Sequence, residues 1–122
     1  MSMAKKDLHK YANVMAYKYR WLDEALDDMA HEIEYVRNEF GLNAARKLEK
    51  KVHEGVVQLC RFPYSGVCYE NDLSFNGNEV RVLHLRQISV IYGFDNETIT
   101  LIAIWNNYQN PERLDETIKS RQ

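Results

Sequence analysis

Three apolar runs separated by only two and three polar residues dominate the second half of the chain: residues 80–85, 88–94 and 98–105, with Arg86-Gln87 and Asp95-Asn96-Glu97 between them. Breaks this short leave no room for a crossover, so consecutive runs must fold back on one another as the antiparallel strands of a meander. The runs are nearly continuous in apolar residues rather than strictly alternating, which predicts a sheet covered at least in part on both faces. The rest of the chain, or a partner, must supply that cover.

Upstream, residues 14–22 (VMAYKYRWL) set Met15, Tyr17, Tyr19 and Trp21 against Ala16, Lys18 and Arg20, the period of two of a strand with one wet face. Asp23 then offers a helix cap, and Glu24, Asp27 and Asp28 suit the positive end of the helix dipole. Leu26, Met29, Ala30, Ile33, Val36 and Phe40 recur at three- and four-residue steps as one apolar stripe, and Gly41 is a natural stop. Asn43 offers a second cap. Ala45, Leu48, Val52, Val56 and Leu59 form a second stripe that runs to Arg61, and Pro63 ends it.

With only Gly41 and Leu42 between them, the two helices must form an antiparallel hairpin. The first is acidic and the second carries Arg46, Lys47, Lys50 and Lys51, a complementarity worth roughly 0–1 kcal/mol per exposed pair. Asn110-Pro111-Glu112 is a cap-and-first-turn signature for a short terminal helix through Ile118. The expected fold class is therefore α+β: an N-terminal strand, a two-helix hairpin on one face, a three-stranded antiparallel meander forming one sheet, and a short C-terminal helix.

A chain of 122 residues fits one domain, expected over residues 14–122 behind a polar, weakly ordered lead at residues 1–13. No apolar run approaches the roughly 18 residues of a membrane span, and the start lacks the apolar stretch of a signal peptide, so the cytoplasm is the expected location. Cys60 and Cys68 show neither zinc spacing nor the numbers of a disulfide framework; both read as reduced thiols, with Cys60 in the core. The formal charge of -2 lacks the basic surplus that grips phosphates, so direct DNA binding by the chain alone is not expected.

Chemistry-bearing motifs are sparse. There is no nucleophile elbow, the five glycines are scattered singly, and neither His31 nor His53 has a second ligand at zinc spacing, so neither metal nor cofactor is expected. Arg81, His84, Arg86 and Tyr92 are the candidates for a site: Arg81 would project from a strand beside His84 as an anion site, and Tyr92 would lend its hydroxyl. Trp105 and Tyr108, at the end of the last strand, read as an exposed aromatic pair suited to partner contact, with Gln109 and Asn110 beside them.

Several short stretches in order resemble the RelE/ParE toxins of bacterial toxin-antitoxin pairs. Ala25-Leu26-Asp27-Asp28-Met29 with Glu32-Ile33-Glu34-Tyr35 is similar to the family's first helix, and Ala44-Ala45 followed by Pro63-Tyr64-Ser65-Gly66 to its second helix and closing turn. Val80-Arg81-Val82-Leu83, Ile88-Ser89-Val90-Ile91-Tyr92 and Tyr108-Gln109-Asn110-Pro111 with Leu114 resemble its meander and tail. The resemblance implies a cognate antitoxin as partner. In RelE-like members it also implies Arg, Lys and Tyr side chains on the sheet that cut mRNA on the ribosome; here Ser89 stands where such enzymes often have Arg, and Asn106-Asn107-Tyr108 replaces another.

ParE-like members use the same fold without that set and are understood to act on DNA gyrase. The chain is thus expected to be a ParE-like toxin of a plasmid-stabilisation type system, with gyrase rather than the ribosome as target. A ribosome-dependent endoribonuclease with a divergent site and an inactive antitoxin-binding relic are the alternatives.

Overall fold

The computed structural model describes residues 16–69 and 73–122; the expected lead at residues 1–13, and Val14 and Met15 of the first strand, lie outside them. The element order is β1 (Lys18–Trp21), α1 (Asp23–Phe40), α2 (Leu42–Arg61), β2 (Val67–Cys68), β3 (Ser74–Phe75), β4 (Asn78–Leu85), β5 (Ile88–Phe94), β6 (Thr98–Asn106) and α3 (Glu112–Ser120). The strands run β1-β6-β5-β4-β2 across the sheet, with β3 paired to β4. β1 pairs with β6 in parallel, Lys18 opposite Thr98, while the meander and β2 are antiparallel.

The meander follows its turns. Arg86-Gln87 leaves Leu85 opposite Ile88, which fixes every later pair of β4 with β5, including His84 with Ser89 and Arg81 with Tyr92. Between β5 and β6 the register slips by one, Ile91 facing Ala103 and Tyr92 facing Leu101, so Ile102 is an extra residue on β6. That bulge turns both Ile102 and Ala103 to one face and returns Ile104 to the other.

The hairpin face is built on α2. Val52, Val56 and Leu59 are buried against Leu83, Val90, Leu101 and Ile104, and Cys60 is buried with them, as expected. The opposite face is closed by α3, whose Leu114 and Ile118 pack on Val80, Val82, Ile91 and Ile102. At about 1.5–3 kcal/mol for each fully buried aliphatic side chain, these two layers hold the sheet from both sides.

α1 departs from its expected stripe. Ala25 is sealed at 0% exposure, whereas Leu26 and Phe40 are 49% and 69% exposed. The inward face runs through Ala25, Asp28, Met29, Ile33 and Val36, about 100° around the helix from Leu26.

The expected caps are corrected too. Asp23 is already the first helical residue, after Leu22, and Asn43 lies inside α2, which starts at Leu42; neither helix start has a side-chain cap. Gly41 alone joins the helices, with φ 97, a left-handed conformation that a side chain would strain. No ion pair links the two helices among the described residues. α3 starts at Glu112 after Pro111, one residue later than the signature placed it, and just before it the Asn110 side-chain oxygen accepts from the Glu112 amide at 3.1 Å.

Candidate functional site

Strand parity divides the expected site residues between the two faces. Arg81 and Tyr92 point to the hairpin side, and His84 to the α3 side, so Arg81 and His84 do not stand side by side as expected. Arg86 belongs to neither face; it occupies the β4–β5 turn with φ 78. The four candidates therefore do not converge on one centre.

On the hairpin side, Tyr92 is fully buried. Its hydroxyl donates to the Pro63 carbonyl at 2.6 Å and accepts from the Gly66 amide at 3.0 Å, which pins the segment leaving α2. Burial raises the phenol above its usual range, with the Gly66 amide and Arg81 pulling the other way. A Cβ on Gly66 would sit 2.6 Å from the Tyr92 hydroxyl and 2.8 Å from the Val82 carbonyl, so glycine is required by close approach.

Arg81 completes this cluster. It donates to the Gly66 carbonyl at 2.6 Å, lies with Cζ 4.9 Å from the Tyr64 ring centre, and places Nε 2.9 Å from Glu79 at an angle too bent for a hydrogen bond. Its guanidinium is thus spent on holding the loop.

On the α3 side, three polar side chains form a chain of hydrogen bonds that the separate readings of His84 and Ser89 missed. His84 Nδ1 is 2.9 Å from Ser89 Oγ, Ser89 donates to Asn107 Oδ1 at 2.7 Å, and Asn107 Nδ2 donates to the Arg86 carbonyl at 2.8 Å. The Asn107 amide also donates to the Gln87 carbonyl at 2.9 Å, so this residue clamps the turn twice and holds Arg86 in its strained conformation. The sequence signal was present: a two-residue turn at Arg86-Gln87 forces His84 opposite Ser89.

Around this chain opens a groove of 540 Å³ whose wall includes Tyr69, Trp105, Gln109, Glu112 and Asp115. The hydroxyl of Tyr69 donates to Asp115. A second groove, of 730 Å³, lies on the hairpin side and is lined by Tyr35, Phe40, Leu48, Lys51, Leu85 and Tyr108. Trp105 and Tyr108 therefore serve different grooves, one half-buried under α3 and the other 82% exposed, and are not the exposed pair expected. Gln109 lies with Trp105, and the Asn110 side chain accepts from the Glu112 amide at the start of α3.

Among the described residues no group of three His, Cys, Asp or Glu gathers as a metal ion would need, and no helix is long and apolar enough to cross a membrane. Burial pushes the Cys60 thiol up, which leaves it protonated.

A family model, the ParE toxin of type II toxin-antitoxin systems (parDE), matches residues 19–111. The chain belongs to the ParE toxin family. Its match runs from β1 to the residue before α3, spanning both helices and the whole meander. A solved structure described as the chromosomal ParDE TA system from P. aeruginosa shares this fold at a TM-score of 0.62 and 18% identity, covering 75% of this chain and 97% of that one. No curated protein matches. This ParE-family chain thus has the α+β toxin fold that its sequence resembles, with the strand order β1-β6-β5-β4 at its centre.

Proposed function

We propose that the protein is the toxin of a cytoplasmic toxin-antitoxin pair, acting by binding DNA gyrase and neutralised by a cognate antitoxin. The observation that carries this reading is the character of the α3 side of the sheet. The His84–Ser89–Asn107 chain lies where ribosome-dependent nucleases of the wider superfamily are expected to place cations, and among the described residues no Lys or Arg lines the groove around it. Phosphoryl chemistry needs charge stabilisation at the reacting centre, and losing one such contact typically costs roughly 2.7–4 kcal/mol. A binding toxin has no such requirement.

The family match and the structural neighbour's description as a ParDE TA system support an antitoxin partner. The 730 Å³ groove is its favoured seat, because Tyr35, Phe40 and Tyr108 expose aromatic area there beside Lys47 and Lys51.

Expression without the neighbouring gene product, followed by a gyrase supercoiling assay and primer extension on cellular mRNA, tests the reading. Loss of supercoiling activity with unchanged mRNA ends is expected. New codon-aligned ends would overturn it in favour of ribosome-dependent cleavage.

A further inference from the structure

The hydrogen-bond chain on the α3 side permits one arrangement of protons. The Arg86 carbonyl can only accept, so Asn107 must turn Nδ2 toward it and leave Oδ1 for Ser89. The single hydroxyl proton of Ser89, a residue 1% exposed, is committed to that oxygen. Its lone pair can then be met only by a proton on His84 Nδ1. Neutral His84 accordingly carries its own lone pair on Nε2, at the ring edge away from the buried chain and toward the groove.

The rest of the groove has the same polarity. Among the described residues its charged wall residues are Glu112 and Asp115, with no Lys or Arg, and the Trp105 ring forms part of its side. Imidazole lone pair, carboxylates and aromatic ring together select a cationic hydrogen-bond donor and reject an anion.

We propose that this groove receives an arginine side chain of a partner polypeptide. A guanidinium has enough donors to satisfy His84 Nε2 and the Glu112 carboxylate at once, and its flat cation stacks on an indole in a way an ammonium does not. Asp115, already bonded to the Tyr69 hydroxyl, lies on the same wall. The groove's 540 Å³ suits one long side chain better than a whole helix. The proposal stands independently of whether gyrase is the target.

The test is a heteronuclear NMR titration of the full chain with blocked Gly-Arg-Gly and Gly-Glu-Gly peptides. The arginine peptide is expected to give saturable shifts at the Trp105 indole N–H and at the His84 and Asn107 amides, with a Kd on the order of 1 mM. His84→Phe and Glu112→Gln should each weaken binding about tenfold, a change of roughly 1.4 kcal/mol. Equal shifts with the glutamate peptide, no saturation by about 50 mM, or variants that bind as well as the parent would overturn the proposal. Long-range nitrogen–proton spectra of the imidazole give a separate check: the proton must be on Nδ1, and finding it on Nε2 in the neutral ring would overturn the assignment.

Discussion

Asp28 and Arg121 meet in a two-pronged ion pair along the stretch of β6 that β1 is too short to reach. Arg121 donates to both Asp28 oxygens, at 2.6 and 2.9 Å, and to the Ile102 carbonyl at 2.9 Å, while the Ile104 amide donates to Asp28 at 3.1 Å. β1 pairs only as far as Leu101. The ion pair therefore takes over the backbone groups that a longer strand would have satisfied, and the Asp28 hydrogen bond holds the Arg121 guanidinium above its ordinary value.

Asp28→Ala should consequently destabilise the protein by about 2–3 kcal/mol, since it strands a cation and an edge amide together. Urea denaturation would show a lower midpoint. In a double-mutant cycle with Arg121→Ala, the combined loss should fall well short of the sum.

Tyr92→Phe keeps the ring in the core but removes both hydrogen bonds of its hydroxyl to the segment after α2. A loss of about 1–3 kcal/mol is expected, with faster amide exchange at Gly66. Gly66→Ala should cost a comparable amount by a steric route, because backbone as well as the Tyr92 hydroxyl blocks the new methyl.

Acid sensitivity should include Asp95. Its carboxylate accepts from the Thr98 and Glu97 amides at 2.8 and 2.9 Å, and these bonds lower its pKa. A depressed folded value means that the contribution is present above the unfolded pKa, near 3.9, and fades as pH falls through the folded one. Carboxyl NMR should place Asp95 below the usual aspartate midpoint, and Asp95→Asn should remove this part of the acid-side slope.

Tyr108→Ala combined with Phe40→Ala should weaken capture of the antitoxin by tenfold or more, with the fold unchanged, because both rings are largely exposed and line the larger groove. Size-exclusion chromatography of the co-expressed pair at falling concentration would reveal the difference. Equal persistence of the parent and variant complexes would place the antitoxin elsewhere.

The elements that could be read from the sequence were those whose periodicity has one cause. The α2 stripe and the three long strands follow from apolar burial alone, the C-terminal helix from its Asn-Pro-Glu start, and the structure has them. α1 was misread because its inward face contains Asp28, held there by a residue 93 positions away. Apolar spacing then slid to Leu26 and Phe40. The two-residue strands β2 and β3 were too short to carry any pattern. For the site, residue types pointed to Arg81 and His84, but only parity and turn length assign them to opposite faces.

The parallel pairing of β1 with β6 has a bearing on how the molecule is made. Lys18 meets Thr98 only after everything between them has been synthesised, so β1 is a high-contact-order element while the meander closes through local turns. The meander can condense first, with β1 and α1 arriving last as a separable folding unit. Native-state hydrogen exchange should then find β1 opening at lower free energy than β5, and this late seam is where a chaperone or a partner would find the chain still unfinished.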